Sequence, residues 1–410
     1  MKIYKKVKRL LFCLGIIASS ATAANATDDK ELIDIVKEAV TLHPLVQAAG
    51  ENLNKTKANA RANQQPLYNP ELSIEYESNV EDTSTIGISQ TIDWSDKRAS
   101  LKKIGLQVEA ASAAEYIVIQ QQVAASFLKK INQFQSSEQS SEINAQQISI
   151  LNQFLEIAKL RFKAGDISQI ELDLVFLAAG EVRMNSAKIQ ADYFTAETEL
   201  SAFLNFQKIL IPEIPLTIIK IDNTPVEQLL SNHFLLKKLR LRSQAALAQI
   251  KLASRSKSAD PTVSFNAGKE GDESIYNVGF SIPLFVRNNF TAEVDSAIAN
   301  AAAVEQQYKN SYREVLVAVK SSRKNLQLTH SAYQKWIGES QIGLQKRSKL
   351  LQRLWKSGDL STTDYLVQIQ QTLSTQISVI QLKAQVIDAW IDYMLASENV
   401  NSWLSLNTEL

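Results

Sequence analysis

The sequence predicts a mainly α fold with a small β part, in which long coiled-coil helices are interrupted by four short β-strands. All eight prolines lie at positions 44, 66, 70, 212, 215, 225, 261 and 283, so 71–211 and 284–410 contain none. Proline inside a helix costs about 3 kcal/mol, and two such exclusions mark long uninterrupted helices. A second observation is duplication. Arg161-Phe162-Lys163-Ala164-Gly165-Asp166-Ile167-Ser168 reappears as Leu354-Trp355-Lys356-Ser357-Gly358-Asp359-Leu360-Ser361, with the glycines 193 residues apart. Pro70 and Pro261 are 191 apart and Gly87 and Gly279 are 192 apart, each pair standing in matching runs. That period is far longer than the roughly 20–50 residues of a solenoid repeat, so the pattern describes one doubled unit.

The elements follow in order. Lys2, Lys5, Lys6, Lys8 and Arg9 precede an apolar stretch from Leu10 to Ala18 and then small residues, the order of a secretory signal. The stretch is too short to span a bilayer, which takes about 20 apolar residues. Residues 1–23 are read as a signal peptide cleaved after Ala23 or Ala26, which removes the single cysteine, Cys13. A first repeat then runs over 24–210: a helix, a β-hairpin at about 70–94, and a long helix pair turning at Gly165. A linker at 211–223, bounded by Pro212, Pro215 and Pro225, cannot continue the helices. The second repeat, 224–410, has its hairpin at about 261–285 and its turn at Gly358.

Helical rhythm is explicit in Ile148, Leu151, Leu155, Ala158 and Phe162, and again in Leu366, Ile369, Leu373, Ile377, Ile380, Ala384, Ile387, Ile391 and Met394. Spacings of three and four make coiled-coil seams. Strands are signalled by period two: Leu72, Ile74, Tyr76; Ile86, Ile88, Ile92, Trp94; Val263, Phe265, Ala267; and Tyr276, Val278, Phe280, Ile282, Leu284 alternate with small or polar residues. Polar tips at 81–84 and 269–273 separate the members of each pair. Outer-membrane barrels use such alternating segments, but they need about eight or more strands and tolerate no open edge in lipid. If these four cross a membrane, the barrel is shared among subunits; otherwise they form a soluble sheet packed on one face.

Composition narrows the function classes. The first 23 residues hold five of the 44 basic residues and none of the 43 acidic ones, so the mature chain is mildly acidic and gives no support to nucleic-acid binding. His43, His233 and His330 are scattered, and without a mature cysteine no ligand spacing for a metal remains. No nucleophile elbow or phosphate loop points to an exported hydrolase. No cofactor is expected.

Taken together, the signal, the doubled order of helix, hairpin and long helix pair, the two Gly-Asp turns, Asn69-Pro70-Glu71-Leu72 and Phe280-Ser281-Ile282-Pro283-Leu284-Phe285 resemble the TolC-type outer membrane efflux proteins over essentially the whole mature chain. The resemblance implies a homotrimer whose twelve-stranded barrel lies in outer membrane lipid and whose helices form a periplasmic tunnel. Its partners would be a periplasmic adaptor and an inner-membrane pump of the RND type. The short chain is most similar to the branch paired with cobalt, zinc and cadmium exporters. A periplasmic adaptor, an exported hydrolase and the outer channel of a type I secretion system are the alternatives.

The same resemblance implies roles for particular residues. Gly165, Asp166, Gly358 and Asp359 would form the tip turns that touch the adaptor. Asp364 would face the threefold axis as an acidic ring, and Glu171 would hold the tip shut through bonds between helices, with Trp355 as its aromatic neighbour. Leu360 and Val367 stand where a basic latch and a second ring acid can occur, which predicts a weaker latch and one ring. Leu174 and Leu177 are expected to open the seam of the helix after the first turn. Trp94 and Phe285 would sit at the membrane interface.

Overall fold

The computed structural model describes residues 21–78, 81–204 and 210–405. The signal peptide expected over 1–23 falls on residues 1–20, which lie outside the described residues; either cleavage site would fall within the first turns of the helix that starts at Ala21.

The elements run α1 (Ala21–Leu42), α2 (Pro44–Ala62), β1 (Glu71–Ser78), β2 (Asp82–Thr91), α3 (Lys97–Ala164), α4 (Gln169–Phe203), α5 (Val226–Asn232), α6 (Phe234–Arg255), β3 (Thr262–Glu270), β4 (Glu273–Ser281), α7 (Thr291–Ser357), α8 (Thr362–Ala396) and α9 (Val400–Trp403). The long pairs match closely in length, 68 and 35 residues for α3 and α4 against 67 and 35 for α7 and α8. Pro44 opens α2, the position where its missing N–H costs nothing. Two compact units result, and each draws on both halves of the chain: one comprises Met1–His43, Gln122–Asn223 and Val319–Asn407, the other Pro44–Gln121, Thr224–Ala318 and Thr408–Leu410.

The second of these units holds the strands, as one antiparallel sheet in the order β1-β2-β3-β4. Its register stacks Leu72, Ile88, Phe265 and Val278 in one rung and Ile74, Ile86, Ala267 and Tyr276 in another. These side chains share one face and stand open, Ile74 at 78% and Val278 at 79% exposure. The opposite face carries Ser73, Gly87, Asn266 and Asn277 in one rung and Glu75, Thr85, Gly268 and the apolar Ile275 in the next. A Cβ on Gly87 would lie 1.7 Å from Asn266 Oδ1 and 2.7 Å from Ser73 Oγ, so any larger residue there would force both side chains to move.

The strands differ from expectation at both ends. β2 begins at Asp82, so most of the expected 81–84 tip is paired strand, and β4 begins at Glu273, leaving Gly271 and Asp272 as the turn. β2 and β4 stop at Thr91 and Ser281, so Ile92, Trp94, Ile282 and Leu284 lie beyond them. Pro283 lacks the N–H that a further ladder bond needs. After β2 the Asp93 carboxylate instead accepts from the Lys97 and Arg98 amides at 2.8 and 2.9 Å and starts α3.

Under the sheet, Asp260 accepts from Tyr68 Oη at 2.7 Å, Lys97 Nζ at 2.9 Å and the Trp94 amide at 3.3 Å. Burial raises the Asp260 pKa, but the hydrogen bonds from Lys97 and Tyr68 and the Lys97 charge bring it below the usual carboxylate value. The hydrogen bond to Asp260, with burial and the carboxylate charge, pushes the Tyr68 phenol up to about 12. Lower in the same unit, Glu115 on α3 meets Lys238 and Arg242 on α6 at 3.2 and 2.8 Å.

In the other unit, Leu32, Val36 and Val40 of α1 are fully buried. The linker is coil with one 3-10 turn, Leu216–Ile218. Gln135 pins it by donating to Pro212 O at 2.9 Å and accepting from the Ile214 amide at 3.3 Å. Asn132 joins α3 to α8 through Ala384 O and Asp388, both at 2.9 Å.

Candidate functional site

The residues singled out in the two turns converge at one end of the first unit. α3 ends with Gly165 at φ 81°, its amide donating to Phe162 O at 3.0 Å while the Asp166 amide donates to Arg161 O at 2.9 Å. α7 ends identically, with Gly358 at φ 85° and bonds from Gly358 to Trp355 O and from Asp359 to Leu354 O. Both are Schellman closures, which need a left-handed residue at the position glycine occupies. Ser168 and Ser361 cap the next helices rather than Asp166 and Asp359. Asp166 is exposed, and Asp359 accepts from Ser357 Oγ at 2.6 Å.

Behind the turns lies a packed core of Leu151, Phe154, Leu155 and Ala158 from α3, Leu172, Val175 and Ala178 from α4, Leu351 and Trp355 from α7, and Tyr365, Leu366, Ile369 and Leu373 from α8. Trp355 is its centre at 1% exposure. Phe154 meets its ring edge-on at 4.5 Å and Tyr365 stacks at 5.1 Å. Arg161 lies 4.6 Å from the same ring and donates to Trp355 O at 2.8 Å and Lys356 O at 3.3 Å, so a single guanidinium ties the first turn to the second. In the duplicated motif Arg161 aligns with Leu354 and Phe162 with Trp355, so the repeat itself carries no signal of this contact.

Within one chain these residues have the following partners. Within the chain Glu171 makes no bond to another helix: its carboxylate accepts from the Ser168 amide and hydroxyl at 2.8 and 2.9 Å, closing a capping box. The Trp355 indole is buried in the core and its N–H points to Thr362 Oγ1 at 3.5 Å. Leu174 and Leu177 are 39% and 70% exposed, and the buried line of α4 is Leu172, Val175, Ala178 and Ala179, the register set by Ser168 as N-cap. On α8, Leu366, Ile369 and Leu373 are buried as the rhythm demands. Asp364 is exposed and accepts from Ser361 Oγ at 2.7 Å.

The interface aromatics belong to the other unit. Trp94 is 73% exposed just past β2, so it is no core tryptophan. Phe285 is half-buried and meets Phe290 edge-on at 4.8 Å. Among the described residues no group of three or more His, Cys, Asp or Glu is placed to hold a metal ion, and no helix is long and apolar enough to cross a membrane.

Residues 226–396 match the sequence model of the family described as outer membrane efflux protein. That match lies in the second half of the chain. Its fold agrees throughout. VceC, an outer membrane protein of Vibrio cholerae, superposes with a TM-score of 0.75 at 17% identity, covering 90% of this chain and 96% of that one. The Campylobacter jejuni outer membrane channel CmeC gives 0.75 at 12% identity, covering 92% and 89%. CusC, whose structures concern folding and transmembrane channel formation, gives 0.73 at 16% identity, covering 90% and 92%. No curated protein matches by sequence.

Proposed function

We propose that this chain is an outer membrane efflux channel that works as a trimeric duct of a tripartite pump. Three copies pair β4 with β1 of the next copy into a twelve-stranded barrel, and the helices enclose a periplasmic tunnel. The observation that carries this is the sheet itself: four strands of 8 to 10 residues with one face apolar and open and with both edges unpaired in the chain. A soluble sheet would cover that face, whereas lipid is its matching solvent and forbids the open edges. The two halves of the chain are read as products of duplication, and the turns at Gly165-Asp166 and Gly358-Asp359 as the adaptor contact.

An RND-type pump supplies the energy, and metal cations of the cobalt, zinc and cadmium class are the proposed cargo. The duct needs no ligand site of its own, since cargo choice lies with the pump. At the tip, Asp364 is exposed on the first turn of α8, so three copies place three carboxylates in a ring; rings of this kind select cations. Single-channel recording on purified trimer tests both levels. Conductance is expected, with Asp364→Asn reducing cation selectivity and block by multivalent cations. A protein that forms no channel refutes the duct, and a conducting Asp364→Asn trimer with unchanged selectivity refutes the ring.

A further inference from the structure

Within one chain the seam between the two hairpins, β2 against β3, is closed at its base by a buried carboxylate. Asp260 is 6% exposed and stands directly before Pro261 and β3. It receives hydrogen bonds from the first half of the chain only: from Tyr68 ahead of β1, Trp94 behind β2, and Lys97, the first residue of α3. Lys97 also donates to Ser258 O at 3.0 Å, and the ladder continues past the strands through the Ile92 amide to Pro261 O at 2.9 Å. Thr91 and Thr262 meet at 2.8 Å through their hydroxyls.

Duplication supplies a second set of the same positions at the outer edges of the sheet, and there the chemistry is missing. The residue directly before Pro70 is Asn69, neutral and exposed, where the other half has Asp260. The residue before it in the second half is Ala259, where the first half has Tyr68. The long helix α7 opens with Thr291 instead of a lysine. Arg287 is the only basic residue between β4 and α7. It is exposed, and a neutral Asn69 offers it no buried counter-charge.

We infer that in the shared barrel, a reading on which this rests, two kinds of seam alternate: a locked seam inside each copy and an unlocked seam where β4 of one copy meets β1 of the next. The second copy is therefore the partner of a surface built without the clamp, and the barrel assembles from preformed four-stranded sheets and parts again between copies. Charge-assisted hydrogen bonds to a buried carboxylate are the strong ones, and loss of such a set changes an opening equilibrium by about tenfold to hundredfold.

Hydrogen exchange on the purified trimer in mild detergent tests this without any substitution. The Ile92 and Trp94 amides should exchange about tenfold to hundredfold more slowly than the outward amides of β1 and β4, which pair only between copies. On heating, the trimer should fall apart into monomers that keep the Ile92 and Trp94 protection. Asp260→Asn, an isosteric change copying Asn69, should erase the difference while trimers persist. Equal exchange at the two seams of the wild-type trimer, or loss of inner-seam protection in the same step as dissociation, would overturn the inference. A chain that is monomeric from the outset would instead overturn the shared barrel.

Discussion

Replacing Val278 by arginine separates a lipid-facing sheet from a solvated one more sharply than any other single change. Val278 is the sixth residue of a nine-residue strand and stands in the rung with Leu72, Ile88 and Phe265. With 79% of its surface open in the chain, the side chain packs on little, so truncation or enlargement costs almost no core packing. In water such a surface substitution stays within about 0.5 kcal/mol. Facing the bilayer interior, arginine costs about 2 to 4 kcal/mol per copy, hence about 6 to 12 kcal/mol for three copies, comparable with the entire stability margin of about 5 to 15 kcal/mol of a folded protein. Asn277→Arg, one residue away on the opposite face, is the control and should be mild if that face lines a wet lumen. The assay is the amount of heat-dissociable trimer in the outer membrane fraction and its dissociation temperature. Val278→Arg trimer at wild-type level and stability, or an Asn277→Arg loss as severe, would refute the reasoning.

Three further outcomes follow. Gly165→Val and Gly358→Val meet open space but force a β-branched residue to φ 81° and 85°; at about 1 to 2 kcal/mol each they should deform the turns and abolish efflux while trimer and membrane level persist, and efflux surviving both would remove the turns from the adaptor contact. Trp355→Ala deletes the centre of the turn core and should cost about 3 to 5 kcal/mol locally; limited proteolysis should then cut near the turns while the sheet stays protected, and unchanged cleavage would show that the core does not hold them. The base clamp should weaken at both pH extremes. Asp260 has a lowered pKa, so its contribution is complete above the unfolded carboxyl value near about 4 and fades as pH falls through the folded value. Tyr68 is raised to about 12, so its contribution is complete below about 10 and is lost as pH rises through about 12. Trp94 fluorescence read against pH should show both losses in the wild type and neither in Asp260→Asn.

Local pattern made most of this architecture legible. Period two announced the four strands, proline exclusion announced α3, α4, α7 and α8, and glycine before aspartate announced both turns, because each signal acts over a few residues. What stayed hidden depends on distant partners. The clamp joins residues 192 apart in the chain, and nothing near Asp260 distinguishes a buried acceptor from another loop acid. Arg161 and Trp355 are 194 apart, so no local pattern tells that the tryptophan is the centre of a core. Within the chain an acid three residues after a serine N-cap serves its own helix, and Leu172 rather than Leu174 turns inward.

The connection from β3 to β4 has a consequence for control of flow. Glu270 pairs with Glu273, leaving two residues to turn the chain, and Ser78 pairs with Asp82, leaving three. Connections this short have no length to fold back into the lumen of the proposed barrel, so its own hairpins could not plug it. Leakage through the proposed duct would then have to be prevented by its helices, and a compound that jammed them would silence export without ever entering the cell.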